Sequence, residues 1–386
     1  MAIADLTQAA AALARDRPAE ARPLLESALR LDPRDAMAWA LLAQTYWSLK
    51  QPAQAAAAAK RVDATNDPKA QHALALYYAQ SGNRRRAAQL ETQFARSPEA
   101  DKSAPLRAAM LNAEAGDYAG AIEMGERALA TDDRPETREL LARSYELKGQ
   151  FQNAIGQRTG LVRLRPYSED AHVELGKLCL RAGRFAEAAE ALERARATFD
   201  KSPQIELALG VAYYSQRRFD NAAARFLRVI ELEPTVEQPY VFMARMLDQI
   251  PARAPELVAR AAEWNRLELK NHYAPFVYAK ALEAAGEGAG QIRPLLEEAI
   301  RRQPKFWESH FEYALVLEQE GKLPDAVREL RAAVTLNPQQ AAPHYRLSRI
   351  YDRLGKKQLA AQERAAHAGL LQAEKGRPGM ADTVVR

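Results

Sequence analysis

The stretch LALGVAYYSQRRFDNAAARF, residues 207–226, repeats the pattern of VELGKLCLRAGRFAEAAEAL, residues 173–192. Both stretches carry Leu-Gly, then Arg-Phe, then a pair of alanines at matching places. Small residues continue this register at a constant spacing of 34 residues, at Ala142, Gly176, Gly210 and Ala244. A fixed period of this length is typical of a solenoid, in which each repeated unit stacks on its neighbours.

Each repeat is predicted to be a pair of helices, because its apolar residues recur at spacings of three and four. With Pro203 as position 1, Gly210 and Ala222 occupy positions 8 and 20, where the two helices must approach closely. Large residues at positions 7, 11 and 24 fill the space beside them. We expect Gly176 and Gly210 to accept alanine but not leucine, since overfilling a packed interior costs about 1–3 kcal/mol.

Glycine also marks the predicted turn between the two helices of a repeat. A residue in the left-handed conformation commonly follows a helix end, and glycine adopts this conformation without steric penalty. The candidate turn residues are Gly82, Gly116, Gly149, Gly183, Gly321 and Gly355.

The repeat resembles the tetratricopeptide repeat (TPR) family. The resemblance covers nearly the whole chain and is carried by motifs such as Trp39-x2-Leu42-Ala43-x2-Tyr46 and Leu209-Gly210-x2-Tyr213 with Ala222-x3-Phe226 and Pro234. It implies an all-α fold, a right-handed superhelical solenoid of about eleven TPR-like helix-turn-helix repeats. It also implies that the first helix of each repeat lines a concave groove.

The solenoid is expected to span residues 1–372 as one domain. Extra loop length shifts the register to 35 residues between Ala244 and Ala279, which predicts a bend around residues 248–291. The last residues, 373–386, are expected to form a flexible C-terminal tail.

Positions 2, 5, 9 and 12 form a second stripe on the first helix, and the internal packing leaves them free to vary. Its predicted partner-binding residues are the aromatic Tyr214, Tyr273, Phe276, Phe311 and Tyr345 and the basic Arg143, Lys177, Arg245, Lys280 and Arg349. Four of these bases precede an acid by three residues: Arg143–Glu146, Arg245–Asp248, Lys280–Glu283 and Arg349–Asp352. The stripe has two interpretations. It is either a charged groove with aromatic anchors for an extended or helical peptide, in which Lys280 and Arg349 steer an acidic or carboxylate-bearing segment. Or it is a solvated surface whose charges neutralise each other and whose aromatic residues pack between neighbouring repeats.

Composition argues against several classes of function. The net charge of +5 over 386 residues is too mild for a nucleic-acid partner, and no apolar run is long enough for a membrane anchor. The single Cys179 is predicted to be a core residue, and the six scattered histidines show no metal-ligand spacing. We therefore expect no metal, no cofactor and no enzymatic activity.

The favoured hypothesis is a non-catalytic scaffold that binds a protein or peptide segment in its groove. The alanine- and arginine-rich composition suggests a bacterial source. The alternative is a structural or self-associating subunit of a larger assembly, which would include homo-oligomers. The first residues lack the pattern of a signal peptide, so a cytoplasmic location is expected. An exported form whose signal peptide had been removed would have the same sequence.

Overall fold

The computed structural model of the protein describes residues 2–375, in which all regular structure is helical. Within these residues, twenty-two α-helices form eleven consecutive hairpins, which confirms the predicted all-α solenoid and its repeat number. Helix α22 ends at Lys375, and the remainder of the expected tail lies outside the described residues. Contacts between helices separate two compact units, an N-terminal unit of residues 1–171 and a C-terminal unit of residues 172–386.

The first helices of the hairpins have odd numbers and the second helices have even numbers. The first ten helices are α1 (Ala2–Ala14), α2 (Pro18–Leu31), α3 (Ala36–Ser48), α4 (Pro52–Asp63), α5 (Pro68–Gln80), α6 (Arg84–Arg96), α7 (Ala104–Glu114), α8 (Tyr118–Thr131), α9 (Pro135–Leu147) and α10 (Phe151–Leu164). The next six are α11 (Glu169–Arg181), α12 (Phe185–Arg196), α13 (Pro203–Ser215), α14 (Phe219–Leu232), α15 (Glu237–Met246) and α16 (Ala254–Leu267). The last six are α17 (Tyr273–Ala284), α18 (Ala289–Arg302), α19 (Trp307–Gln319), α20 (Leu323–Leu336), α21 (Ala341–Arg353) and α22 (Lys357–Lys375).

Ten of the eleven hairpins turn on one residue with positive φ. All six predicted glycines have this conformation, with φ between 70° and 84°, and Gly286 shares it. Three hairpins use Asp16, Lys50 and Arg217 instead. The exception is the α15–α16 hairpin, where two short 3₁₀ helices, Leu247–Gln249 and Pro251–Arg253, replace the single-residue turn. The predicted bend in this part of the chain stays a prediction.

The interior of each hairpin follows the positions expected from the repeat. Leu209 and Phe226 are fully buried on α13 and α14, and Leu192 is fully buried on α12. Burying one such side chain stabilises the fold by about 1.5–3 kcal/mol. An ideal Cβ on Gly210 would lie 2.5 Å from the Phe226 ring, and one on Gly176 would lie 2.6 Å from Leu192. An alanine at either position would therefore have to displace a buried side chain, the Phe226 ring or Leu192, so we now expect both substitutions to be destabilising.

A polar contact between positions 4 and 23 joins the two helices of several repeats, and the sequence analysis did not identify it. It pairs Arg138 with Gln157 (2.9 Å), Glu206 with Arg225 (3.0 Å), His310 with Glu329 (2.8 Å) and His344 with Glu363 (2.6 Å). Glu206 is almost fully buried, and this burial raises its pKa although Arg225 opposes the change. Removing the base from such a buried pair would cost about 3–5 kcal/mol.

A second recurrent contact joins neighbouring repeats within each unit. The tyrosine at position 11 donates its hydroxyl hydrogen to a glutamate on the second helix of the preceding repeat. Tyr213 contacts Glu193 at 2.7 Å, and Tyr145 makes the equivalent hydrogen bond to Glu126. The tyrosine ring therefore packs in the core while its polar end finds a partner at the boundary between repeats.

Replacing Gly210 by alanine should lower the free energy of unfolding by about 1–3 kcal/mol, because the added methyl group must displace the buried Phe226 ring. Urea denaturation followed by circular dichroism measures the change. The matched control is Gly156→Ala in α10, where the added Cβ would meet no atom within 4 Å. That variant should gain about 0.5–1 kcal/mol, as alanine does in an exposed helix interior. Equal effects at the two sites would refute the close approach of α13 and α14.

The His310–Glu329 pair should make stability depend on pH. Nδ1 of His310 faces Glu329 and Nε2 faces the Pro304 carbonyl oxygen (3.1 Å), so only the imidazolium can donate to both. The hydrogen bond with Glu329 raises the pKa of His310, although burial opposes the rise. The pair therefore adds its full contribution to the free energy of unfolding below the ordinary histidine pKa of about 6.5. This contribution is lost as the pH rises through the raised pKa of His310 in the folded protein.

The measurement compares the unfolding free energies of the parent and His310→Gln at a pH of about 6 and of about 9. The loss in the variant should be larger at the lower pH by on the order of 1 kcal/mol. Glu329→Gln is the control, and in its background the pH dependence of the loss should disappear. A loss that is the same at both pH values would show that His310 is neutral.

Candidate functional site

The first helices of three consecutive hairpins in the C-terminal unit surround a cleft of about 240 Å³. We call it the aromatic cleft. It is lined by Val241, Ala244, Arg245 and Asp248 from α15 and the following turn, by Tyr273, Phe276, Val277 and Lys280 from α17, and by Phe306, Glu308 and Glu312 at and within α19. Four of the ten predicted partner-binding residues therefore meet here: Arg245, Tyr273, Phe276 and Lys280.

Three aromatic rings form one wall of the cleft. Phe306, the residue before α19, is buried, and its ring centroid lies 4.8 Å from Tyr273 and 5.0 Å from Phe276. Both contacts are edge-to-face, the arrangement favoured by the charge distribution of aromatic rings. Tyr273 and Phe276 remain half-buried, so part of each ring stays available at the surface.

Polar contacts fix the start of α17 and thereby the aromatic wall. The backbone N–H of Tyr273 donates to Asn271 Oδ1 at 2.8 Å, and Asn271 Nδ2 donates to Glu237 at 2.7 Å. The Arg302 guanidinium donates to the backbone carbonyl oxygens of Asn271 (2.7 Å) and Glu268 (3.1 Å). The loop that leads into α17 at Tyr273 is therefore held by Glu237 of α15 and Arg302 of α18.

Lys280 lies at the base of the cleft between two carboxylates. Its Nζ is 2.8 Å from Glu283 Oε2 and 3.1 Å from Glu312 Oε1, and its side chain is only 24% exposed. Burial alone would lower the pKa of Lys280, but Glu312 and Glu283 more than offset this and raise it. Lys280 therefore stays charged, and both of its carboxylate partners belong to the protein itself.

Glu308 and Arg245 lie nearer the mouth of the cleft. Burial raises the pKa of Glu308, and the positive charge of Arg245 partly opposes the rise. Within residues 2–375, no base lies within ion-pair distance of Glu308. The Glu308 carboxylate also raises the pKa of Tyr273, although burial of the ring is the larger cause. A half-buried carboxylate thus faces the aromatic wall without a cation bound to it.

The expected ion pairs along the first helices form only in part. Lys280–Glu283 is present. The acids of two others are drawn to the second helix of their hairpin, where Glu146 is 3.6 Å from Arg158 and Asp352 is 2.6 Å from Arg364. In the described chain Arg245 and Asp248 form no ion pair, because α15 ends at Met246 and the 3₁₀ turn carries Asp248 away from helical register.

The remaining predicted residues lie outside the aromatic cleft. Tyr214 packs on Phe242 of α15 at 5.2 Å, Phe311 packs against the core between α19 and α22, and Lys177 is exposed beside Glu174 at 3.4 Å. Tyr345 is 42% exposed and accepts a hydrogen bond from Arg349 at 3.1 Å. Tyr214 and Phe311 thus pack partly between repeats, as the second interpretation of the stripe predicted.

Arg143 belongs to a different depression, in the N-terminal unit. This N-terminal groove has a volume of about 580 Å³ and lies between α7, α8, α9 and α10. Met110 and Leu147 are half-exposed on its sides, and Leu106 and Leu140 complete an aliphatic lining. Its lining includes one aromatic residue, Tyr118, where the aromatic cleft has three.

Three aromatic or charged residues of the aromatic cleft were missed by the sequence analysis. Glu308 occupies position 2 of its repeat, one of the stripe positions, so reading the charges at that position would have found it. Phe306 and Glu312 lie off the stripe, at the residue before position 1 and at position 6. They line the cleft because α19 lies beside α17. The sequence of one helix does not predict which residues of the next helix will lie beside it.

Catalytic and metal-binding arrangements are not found among the described residues. Burial raises the pKa of the Cys179 thiol to about 11, so it is a poor nucleophile. No group of histidine, cysteine, aspartate and glutamate side chains within residues 2–375 could hold a metal ion. None of the described helices is long and apolar enough to cross a membrane.

Comparison with protein families agrees with the fold. A family model described as tetratricopeptide repeat matches residues 173–237, 293–341 and 319–369, and a second model with the same description matches residues 12–77. A model described as anaphase-promoting complex, cyclosome, subunit 3, matches residues 114–195. No curated protein matches the chain significantly by sequence.

Two solved structures align with the chain at low sequence identity. A chain in the structure of Naa15/Naa10 bound to HypK-THB aligns with a TM-score of 0.55 and 14% identity, covering 95% of this chain and 68% of that one. The C-terminal part of a TPR repeat-containing protein from Cytophaga hutchinsonii has a TM-score of 0.44 and 19% identity over 70% of this chain and 96% of that one. At these identities the likeness concerns the fold alone.

Proposed function

Because the chain belongs to the tetratricopeptide repeat proteins, which act as protein–protein interaction scaffolds, we propose that it is a non-catalytic scaffold whose C-terminal unit binds a segment of a partner protein. The segment would lie along the first helices α15, α17 and α19. The observation that supports this most directly is the aromatic cleft between these helices.

The aromatic cleft has the composition of an interaction hot spot. Tyr273, Phe276 and Phe306 present aromatic surface, and charged groups surround it at the rim and the base. Aromatic anchors that become desolvated on binding contribute about 2 kcal/mol or more each on truncation, whereas rim charges mainly change the association rate. Most of the binding free energy should therefore come from the rings.

The N-terminal groove supports a second candidate function, self-association. Met110 and Leu147 are each at least half exposed and line the same groove with Leu106 and Leu140. An aliphatic surface of this kind is a common feature of contacts between subunits. Size-exclusion chromatography with light scattering at two concentrations tests it, and a monomer at both concentrations would exclude self-association.

The proposal predicts that a partner recovered by affinity purification from the native host binds through the aromatic cleft. With the purified partner, Phe276→Ala should raise the Kd by at least about tenfold, the loss expected for one aromatic anchor. Tyr167→Ala is the matched control, because Tyr167 is an 85% exposed aromatic residue in the N-terminal unit. Its Kd should stay within about twofold of the parent value.

Phe276 also packs against the core, so its truncation is paired with a variant that preserves this packing. Val241→Trp should fill the cleft from the α15 side and block the partner in the same way. Circular dichroism must show parental helix content for both variants. If both fold and bind the partner like the parent, the cleft is not the binding site and the self-association function becomes the better candidate.

A further inference from the structure

We propose that the aromatic cleft selects an arginine side chain of the partner segment. This inference rests on the proposed function and adds the chemistry of the anchor. The sequence analysis favoured the opposite choice, an acidic segment attracted by Lys280 and Arg349. The placement of the charges in the cleft supports a cation instead.

The charge balance of the cleft is negative. Two bases, Arg245 and Lys280, stand against the lining carboxylates of Asp248, Glu308 and Glu312. Lys280 is held between Glu312 and a further carboxylate, Glu283, so it offers no free positive charge to a ligand. Arg349 lies outside this cleft, on α21 beside Tyr345. An acidic segment would therefore meet repulsion at the base of the cleft.

The carboxylates of Glu312 and Glu308 are partly buried in the cleft, where their attraction for a cation is stronger than at an exposed surface. Glu312 is 15% exposed, and within residues 2–375 its one ion-pair partner is Lys280, which also binds Glu283. Burial raises the pKa of Glu312, and the neighbouring charges of Glu283 and Asp248 add to the rise. Glu308 lies closer to the solvent and has no ion-pair partner in residues 2–375. A ligand cation beside Glu308 would thus balance a negative charge that Arg245 offsets only from beyond ion-pair distance.

The aromatic wall adds a second attraction for the same group. A guanidinium within about 6 Å of an aromatic ring is attracted to the ring face, and its planar fork can bind a carboxylate with two hydrogen bonds. Tyr273 and Glu308 line the same cleft of about 240 Å³. One guanidinium could therefore contact the ring and the carboxylate together, which a compact ammonium group does less well.

The size of the cleft fits a single side chain. Its volume of about 240 Å³ is below the roughly 300–1,000 Å³ typical of sites for small-molecule ligands. The cleft is lined by the first helices of three consecutive repeats, so a longer chain that crosses these helices can place one side chain in it. A side chain projecting from a protein segment therefore fits better than an independent small cation.

The test uses blocked tripeptides, acetyl-Gly-Xaa-Gly-amide, in which Xaa is arginine, lysine, norleucine or glutamate. Binding is followed by NMR of valine methyl groups, since Val241 and Val277 line the cleft. The arginine peptide should shift these two signals and bind about tenfold more tightly than the norleucine peptide, the factor expected when a cation meets a ring and a carboxylate. The lysine peptide should bind with intermediate affinity, and the glutamate peptide should not bind.

Charge-neutralising variants identify the acids responsible. Glu308→Gln should remove most of the preference for arginine over norleucine, and Glu308→Gln with Glu312→Gln should remove all of it. Glu263→Gln is the matched control, because Glu263 is an acid of α16 outside the cleft, bound to Arg266. It should leave the preference unchanged. Equal affinity for arginine and norleucine in the parent, or tighter binding of glutamate, would overturn the inference.

Failure here can be told apart from failure of the proposed function. If Phe276→Ala and Val241→Trp abolish partner binding but the tripeptides show no preference for arginine, the cleft binds the partner through another anchor and only this inference falls. If the arginine preference holds while both variants bind the partner normally, the partner uses another surface, and the anchor is not part of that interaction.

Discussion

The structure depends on one recurring constraint, the reversal of the chain by a single residue in the left-handed conformation. This turn brings the two helices of one repeat into contact. The helix pair then buries its apolar face against the next pair. Ten hairpins use the turn, and three of them accept a residue other than glycine. A non-glycine residue in this conformation costs about 1–2 kcal/mol, which the packing of the whole hairpin must outweigh.

The one hairpin without this turn lies beside the aromatic cleft. Helix α15 is only ten residues long, and two 3₁₀ helices lead from it to α16. Asp248 leaves the helical register there and becomes part of the cleft lining. A local change of backbone geometry thus adds a carboxylate to the site. The irregular spacing of this repeat is visible in the sequence, and its structural consequence is one more negative charge in the cleft.

Packing and recognition divide the residues of the first helices between them. Positions 8 and 11 are used in the hairpin interior and in the hydrogen bonds between repeats, as Gly210 and Tyr213 show. The stripe at positions 2, 5, 9 and 12 can carry aromatic and charged side chains. Some of these side chains nevertheless pack against neighbouring repeats. All three of Tyr273, Phe276 and Phe311 are half-buried, but only Tyr273 and Phe276 line the aromatic cleft, whereas Phe311 packs against the core of the last two hairpins.

The sequence by itself determined the repeat, the eleven hairpins and the glycine turns, because a fixed period and helical spacing are local properties of a chain. It also placed Arg245, Tyr273, Phe276 and Lys280 on a surface stripe. Only the tertiary structure decided that these four share a cleft with Phe306, Glu308 and Glu312, and that Lys280 is bound by two carboxylates. The reason is physical: the charge and shape of a cleft depend on distances between helices, which no single repeat encodes.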